Sequence, residues 1–223
     1  MVCKMAIKAV IFDMDGVIID SEILWDKAMI DVLSKYGVKY TQESKDLCMG
    51  KSIEEAALIQ KNLHDLNVDE KIIADEKLST ALKYYEQELK FMPGFFSLFE
   101  SLKNRNVKMC IATASDITLM NAVDAKLKLT DLFLGNVVFR TEKHKSKPAP
   151  DIFLDAAAKL NVKPKECVVI EDSPLGVQGA LNAGMKCIAL TGSTKSENLK
   201  GADLIVNKLE EINPSVIGLL GLI

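Results

Sequence analysis

The chain alternates short apolar runs with longer stretches in which apolar residues recur every three or four positions. Short apolar runs are typical of strands buried on both faces, and the longer spacing is typical of helices with one buried face. Their alternation predicts a parallel sheet covered by helices on both faces. The predicted strands lie near residues 7–12, 107–112, 136–139, 167–170, 186–190 and 203–206. The predicted helices between them cover residues 94–104, 117–129, 151–160 and 174–183.

Residues 18–91 interrupt this alternation with a purely helical pattern. Apolar residues recur with helical periodicity, and no strand lies between them, in residues 21–36, 53–66 and 70–90. A Met-Pro-Gly segment at residues 92–94 then marks the point where the strand and helix alternation resumes. We therefore predict an α/β core of residues 1–17 and 92–223, and an inserted helical domain of residues 18–91.

Composition and charge are those of an ordinary globular protein. The chain has 223 residues, of which 48% are hydrophobic and 26% charged, enough for one substantial core and a smaller second domain. A net charge of -3 offers no basic surface for nucleic acid or an anionic membrane. The first residues predict neither a signal peptide nor a spanning helix, and five scattered cysteines indicate reduced thiols. We expect a cytoplasmic monomer without nucleic acid or membrane partners.

Two carboxylates stand two positions apart directly after the first predicted strand. Asp13 and Asp15 would project to the same side of an extended chain. Like charges this close resist joint ionisation unless a cation lies between them or one of them holds a proton. An ionised nucleophile, a protonated acid and a divalent metal are a combination suited to phosphoryl transfer. An isolated pair of this kind is more often two solvated aspartates in a turn, so its meaning depends on the rest of the chain.

Three further segments follow other predicted strands or lie in loops between them. Thr113 and Ala114 end a strand, where a hydroxyl and backbone N–H groups can hold phosphoryl oxygens or cap a helix. Lys147 precedes two prolines that limit the freedom of the backbone, although most loop lysines are simply solvated. Glu171 and Asp172 form an acidic pair after a strand, suited to a hard ion such as Mg²⁺ or to a helix cap.

The order and spacing of these four segments resemble the haloacid dehalogenase superfamily of phosphohydrolases, over nearly the whole chain. The resemblance implies a Rossmann-like doubly wound parallel sheet with an inserted, mobile helical cap. It also implies a Mg²⁺-dependent phosphatase that hydrolyses small phosphate monoesters, such as sugar phosphates, through an aspartyl-phosphate intermediate. The roles it implies are Asp13 as nucleophile, Asp15 as general acid and base, Thr113, Ala114 and Lys147 as phosphate-binding residues, and Asp13, Asp15, Asp172 and Glu171 as metal-binding residues.

The same motifs occur in β-phosphoglucomutases, so a phosphosugar mutase is the alternative. Such mutases typically carry cap cations and a Lys-Asn pair that bind a second phosphate. The corresponding positions here hold Trp25, Met49, Ile53, Asp116 and Ile117. Without those polar groups, attack by water on the aspartyl phosphate becomes the expected second step, and hydrolysis is favoured. A phospho-acceptor signalling module is a remote alternative, since such modules lack a helical insertion and place the acceptor later in the chain.

Substrate contacts are expected from the helical domain. Trp25 could give a flat wall to a sugar ring or base, or it could pack inside the helices. Lys51 could reach the substrate or remain solvated. The candidate cap residues are Glu22, Trp25, Gly50 and Lys51. His144, three residues before Lys147, could lie near the site, but no partner in the sequence marks it as a base. Deoxyhexose 6-phosphates, glycerol phosphate and pseudouridine 5′-phosphate all remain open as substrates.

Overall fold

The computed structural model describes residues 7–48, 51–192, 194–219 and 221. The chain divides into two compact units. The first unit combines Met1–Asp20 with Lys90–Ile223, and the second is Ser21–Leu89. The second unit thus begins slightly later and ends slightly earlier than the helical domain predicted at residues 18–91.

Main-chain pairing explains where the first unit ends. Ile19 forms an antiparallel bridge with Phe91, and the Met92 N–H donates to the Ile18 carbonyl oxygen over 2.8 Å. The Asp20 N–H donates to the carbonyl oxygen of Lys90 over 3.1 Å. Residues 18–20 and residues 90–92 are therefore paired with each other in the first unit, and the helices of the second unit lie between these two segments in the sequence.

The second unit consists of helices. Three of them begin with side-chain caps. Ser52 and Glu55 form a reciprocal capping box, the Asp69 carboxylate accepts from the Lys71 N–H, and the Thr41 hydroxyl accepts from the Ser44 N–H. The helices are α1 (Glu22–Lys35), α2 (Gln42–Cys48), α3 (Ile53–Leu63) and α4 (Glu70–Glu88). Helix α2 was not predicted, because its sequence is mostly polar and Ser44 is its buried residue. A small apolar core lies between the helices, formed by Val32, Ala57, Ile73 and Ala74.

A parallel sheet of six strands forms the centre of the first unit, in the order β3-β2-β1-β4-β5-β6 among the described residues. The strands are β1 (Ala9–Phe12), β2 (Lys108–Thr113), β3 (Val137–Phe139), β4 (Cys167–Glu171), β5 (Lys186–Leu190) and β6 (Leu204–Val206). Every pairing is parallel, and Phe12 at the end of β1 lies opposite Ile111 and Ile170. Strand β1 is buried along its whole length, as its continuous apolar sequence predicts. The predicted doubly wound α/β fold is confirmed.

Helices cover the sheet of the first unit. They are α5 (Phe95–Lys103), α6 (Ile117–Leu127), α7 (Leu129–Leu132), α8 (Asp151–Lys159), α9 (Pro174–Asn182) and α10 (Pro214–Leu219). Residues of α8 and α9 share one apolar cluster with the sheet, including Phe153 and Val177. A second cluster brings the rings of Phe12, Phe95 and Phe133 together, with Phe12 edge-on to both others.

One helix prediction needs correction. The single helix expected over residues 117–129 is interrupted at Lys128, whose φ of 55° is left-handed and ends α6 before α7 begins. Side chains other than glycine adopt this conformation rarely, and no glycine marks the break in the sequence.

The cysteines behave as small core residues. Cys110, Cys167 and Cys187 are buried free thiols, and Cys48 is half-buried and also free. Burial raises the pKa of the Cys110 and Cys167 thiols to about 12, so both stay protonated near neutral pH. Cys3 lies outside the described residues. Within the described ranges, every helix is too short or too polar to span a lipid bilayer.

Candidate active site

The predicted site residues of the first unit, apart from Lys147, lie at or directly after the carboxyl ends of three neighbouring strands. Asp13 follows β1 directly, Thr113 is the last residue of β2, and Glu171 is the last residue of β4 with Asp172 after it. The Asp13 N–H donates to the Ile170 carbonyl oxygen over 2.9 Å, which continues the ladder between β1 and β4. Strand order and register therefore bring together side chains that are far apart in sequence.

Lys147 joins two of these strand ends. Its Nζ donates to Asp13 Oδ1 over 2.6 Å and also to Glu171 Oε1, while the Phe153 ring centroid lies 5.0 Å away. Burial alone would lower the pKa of Lys147, but the carboxylates of Asp13 and Glu171 outweigh it and hold the pKa above its usual value. Lys147 is therefore an ammonium group fixed beside Asp13, where it can stabilise negative charge on a bound oxyanion.

Negative charge exceeds positive charge at this edge. Burial raises the pKa of Asp13 well above its ordinary value; Lys147 opposes the rise, and the carboxylates of Glu171, Asp172 and Asp15 add to it. Three carboxylates thus raise the pKa of Asp13, and the ammonium group of Lys147 opposes them. An additional cation would relieve this repulsion and favour the ionised form of Asp13.

The donor set suits a hard divalent cation. Among the described residues, no group of three or more His, Cys, Asp or Glu side chains is spaced to hold a metal. Asp13 and Asp172 are both largely buried carboxylates at adjacent strand ends. Gly16, with a φ of 75°, brings the backbone so close to Asp172 that a Cβ on Gly16 would lie 2.1 Å from Oδ2. Carboxylate oxygens beside a close main chain fit Mg²⁺, which takes few protein ligands and completes its coordination with other oxygens.

Glu171 is engaged by protein donors at both oxygens. Its Oε1 accepts from Lys147, and its Oε2 accepts from the Asp172 N–H, the Ser173 N–H and the Ser173 hydroxyl at 2.8, 2.8 and 2.9 Å. Gly176 lies against the same carboxylate, because a Cβ there would be 1.7 Å from Oε1. This arrangement favours Glu171 as a residue that positions Lys147 and the strand-end loop over Glu171 as a direct metal ligand.

A serine that the sequence analysis did not single out belongs to the same cluster. The Ser115 hydroxyl donates to Asp15 Oδ2 over 2.9 Å, and the Ser115 N–H donates to the Thr113 hydroxyl oxygen over 3.0 Å. Thr113 is completely buried, while Ala114 between them is exposed. Ser115 thereby links the carboxyl group of Asp15 to the end of β2. Its position in the sequence, two residues after Thr113 at the end of a predicted strand, was the one feature that could have indicated a place in the site.

Trp25 contacts two side chains of α4 in the helical unit. The indole is half-buried on α1 and lies edge-on to the Tyr85 ring, with centroids 6.0 Å apart. The Lys77 ammonium lies 5.4 Å from the indole centroid, a cation–π arrangement. Trp25 thus packs against α4, and its role in substrate binding stays a prediction.

Glu22 and Lys51, two other predicted cap residues, also lie in the helical unit. Glu22 forms an ion pair with Lys45 over 2.9 Å, and Lys45 also pairs with Asp26 over 2.6 Å. Lys51 is exposed. Gly50 lies outside the described residues. Glu22 thus has a structural partner, and the role of Lys51 and Gly50 in substrate binding stays a prediction.

Known proteins match this sequence and fold. Residues 10–190 match the haloacid dehalogenase-like hydrolase family. A probable pseudouridine-5'-phosphatase of Drosophila melanogaster is 33% identical over 94% of this chain and 93% of its own. The β-phosphoglucomutase of Bacillus subtilis is 30% identical over 92% and 91%. A family IA, variant 3 hydrolase of Entamoeba histolytica superposes with a TM-score of 0.83 at 27% identity, over 96% of this chain and 98% of its own. The chain belongs to the haloacid dehalogenase-like hydrolase family.

Proposed function

We propose that this hydrolase is a Mg²⁺-dependent phosphatase that cleaves small phosphate monoesters through an aspartyl-phosphate intermediate on Asp13. The observation that carries the proposal is the Asp13 carboxylate held 2.6 Å from the buried ammonium of Lys147 at the strand ends. An oxygen nucleophile beside a fixed cation is the arrangement that in-line attack on phosphorus requires. The Drosophila relative, a probable pseudouridine-5'-phosphatase, supports the same class of reaction.

In the first step Asp13 attacks phosphorus and the ester oxygen departs. Lys147 and the Thr113 hydroxyl, together with backbone N–H groups at the end of β2, stabilise the charge on the transferring phosphoryl group. Asp15 donates its proton to the leaving oxygen, and the hydrogen bond from Ser115 fixes the direction of that carboxyl group.

In the second step water attacks the phosphorus of the aspartyl phosphate and releases inorganic phosphate. Asp15, ionised after the first step, accepts the proton of this water and returns to its starting form. Asp13 is regenerated as a carboxylate, so the enzyme is ready for another ester.

A divalent cation fits the acidic side of this cluster. Asp13, Asp172 and the backbone carbonyl of Asp15 would hold Mg²⁺, and Glu171 would support the neighbouring loop. When bound, the ion would supply positive charge that offsets the repulsion between an anionic nucleophile and an anionic ester.

Isomerisation of a phosphosugar is the second candidate, because the Bacillus relative is a β-phosphoglucomutase. The positions that bind the second phosphate in such enzymes hold Trp25, Met49, Ile53, Asp116 and Ile117 here. Met49 lies outside the described residues. Trp25 is engaged with Tyr85, and Asp116 caps α6 by accepting from two backbone N–H groups. An acid and apolar side chains at these positions favour water over a second sugar hydroxyl as the acceptor.

Phosphate release with Mg²⁺ and no partner protein tests this function directly. A panel of sugar phosphates and nucleotides, with p-nitrophenyl phosphate and β-glucose 1-phosphate, would be tried against the wild type and Asp13→Asn. We expect Asp13→Asn to lower turnover by at least about 10⁴-fold with an unchanged circular dichroism spectrum, since the shape is kept and the nucleophile lost. Asp131→Asn, the same change at an exposed site of the first unit, is the matched control. Conversion of β-glucose 1-phosphate to glucose 6-phosphate without phosphate release would favour the mutase, and full activity of Asp13→Asn would exclude the covalent route.

A further inference from the structure

The loop that carries Lys147 is folded by its own turns. It runs through residues 140–150, between β3 and α8. The His144 N–H donates to the Thr141 carbonyl oxygen over 3.0 Å, and the Ala149 N–H donates to the Ser146 carbonyl oxygen over 3.0 Å. Lys147 lies within the second of these turns. This path of the loop places the Lys147 ammonium 2.6 Å from Asp13 Oδ1.

His144 contacts Thr141 at the start of this loop and Asp155 on α8, although its neighbours in sequence are exposed. Its side chain is only 8% exposed, whereas Lys143 and Lys145 are exposed. Nδ1 lies 3.1 Å from the Thr141 backbone nitrogen and 3.0 Å from the Thr141 hydroxyl oxygen. Nε2 lies 3.0 Å from Oδ2 of Asp155, which is on α8.

These partners fix the tautomer of the imidazole. A backbone N–H can only donate, so Nδ1 of His144 must accept from Thr141. The ring proton is therefore on Nε2 and is donated to the Asp155 carboxylate. Both ring nitrogens are then occupied, and His144 has no lone pair left to act as a general base. The same two contacts join the start of the loop to α8.

We propose that His144 and Asp155 form a clamp that positions the Lys147 ammonium against Asp13 and the transferring phosphoryl group. The inference rests on the proposed function, because the position of Lys147 matters for catalysis only if the reaction is phosphoryl transfer. His144 holds the loop on the N-terminal side of Lys147, and Asn182 of α9 donates to the Pro148 carbonyl oxygen over 2.9 Å on its C-terminal side. Lys147 is thus fixed between two anchors.

The ammonium group of a long lysine side chain has a well-defined position only when the backbone of that lysine is fixed. Displacement of a charged group by about 1 Å can cost roughly 10²-fold in rate. Loss of the clamp should therefore lower kcat, since the charge on the transferring group develops in the transition state. The Michaelis constant should change less, because Thr113 and backbone N–H groups also hold the phosphoryl oxygens. His144 is on this account a positioning residue that acts through Lys147.

The variants can separate the two contacts of the clamp. His144→Ala removes both contacts, His144→Gln keeps a donor for Asp155, and Asp155→Ala removes the acceptor while Asp155→Asn keeps one. Lys145→Ala, an exposed position of the same loop, is the control. With p-nitrophenyl phosphate and Mg²⁺, we expect kcat to fall about 10- to 100-fold in His144→Ala and Asp155→Ala, with the Michaelis constant within about twofold. His144→Gln and Asp155→Asn should recover most of the loss, and the double alanine variant should resemble either single variant.

Amide hydrogen exchange in the same variants gives a readout that does not depend on activity. We expect faster exchange in residues 140–150 of His144→Ala and Asp155→Ala, with the sheet strands as protected as in the wild type. If these variants kept the kcat and the exchange rates of an active wild type, the proposed clamp would be refuted and the proposed phosphatase activity would not be affected. Equal loss of protection in the sheet would also overturn it, since the pair would then serve general stability. A wild type without phosphatase activity would refute the function, and exchange alone would then decide whether the clamp exists.

Discussion

At the scale of single residues, one ammonium group organises the strand-end carboxylates. Lys147 donates to Asp13 and to Glu171, and both carboxylates keep it charged despite its burial. The carboxylates of Asp15 and Asp172 add further negative charge beside Asp13. The arrangement leaves a region of negative potential that suits a divalent cation and, once the cation is bound, an anionic ester.

Asp15→Asn should separate the chemistry of the leaving group from the rest of the site. An alkyl phosphate needs a proton on its departing oxygen, whereas p-nitrophenolate leaves without one. We expect a loss of about 10²- to 10³-fold in kcat for sugar or glycerol phosphate and less than about tenfold for p-nitrophenyl phosphate. Steady-state kinetics on both substrates, with Asp131→Asn as the control, measure the difference. Equal losses on the two esters would contradict the role of Asp15 as an acid.

Residues at strand ends could be predicted from the sequence, because an apolar run fixes where each strand stops. Asp13, Thr113 and Asp172 follow this rule, and the structure places them at one edge of the sheet. Hydrogen-bond partners could not be predicted in the same way. Ser115 donates to Asp15, which lies 100 residues earlier in the sequence. His144 contacts Asp155 of α8, and the sequence of the loop does not show which side of that helix faces the loop.

At the scale of elements, the start of α9 packs against the end of β4. Gly176 in the first turn of α9 leaves room for the Glu171 carboxylate, which in turn holds Lys147 and the N–H groups of Asp172 and Ser173. Because Gly176 has no side chain, α9 can lie close enough to support the position of the Glu171 carboxylate. The Phe153 ring of α8 also lies 5.0 Å from the Lys147 ammonium, so residues of two helices and two strand ends surround it.

Gly176→Ala should therefore weaken both stability and activity. Helix propensity alone would favour alanine by up to about 1 kcal/mol, but the new Cβ would overlap Oε1 of Glu171. We expect the free energy of unfolding to fall by about 1–3 kcal/mol and kcat by about 10²-fold as Lys147 shifts. Urea denaturation and phosphatase kinetics measure the two effects.

Gly192→Ala is the matched control for this change, because no atom of the described residues, apart from its own neighbours in sequence, lies within 4 Å of its Cβ position. It should alter the free energy of unfolding by no more than about 0.5 kcal/mol. Wild-type activity and stability in Gly176→Ala would contradict the contact between α9 and the Glu171 carboxylate.

Elements with strong patterns were predictable, and those without a pattern were not. The six strands agree with their apolar runs to within one or two residues, and the long helices α1, α3 and α4 agree with their periodicity. Helix α2 is short and polar, so nothing in its sequence distinguishes it from a loop. The break at Lys128 depends on a left-handed lysine, which no local signal announces.

At the scale of the whole molecule, two units of different character belong to one chain. The α/β unit carries the acidic, hydroxyl and lysine side chains at the strand ends, and the helical unit carries Glu22, Trp25 and Lys51, whose contacts with substrate stay a prediction. The predicted family, fold class and hydrolase class are confirmed. The role of the helical unit as a mobile lid, the monomeric state and the cytoplasmic location stay predictions.

The central claim is that phosphorus becomes covalently bound to Asp13 during turnover. A radiolabelled phosphate ester would be mixed with the enzyme and Mg²⁺, quenched in acid within one turnover, and treated with borohydride, which reduces an acyl phosphate to homoserine. Peptide mapping should find the label before reduction, and homoserine after it, at position 13, and neither should occur in Asp13→Asn. Label at another residue, or rapid phosphate release with no labelled protein at any time in a single turnover, would contradict the account.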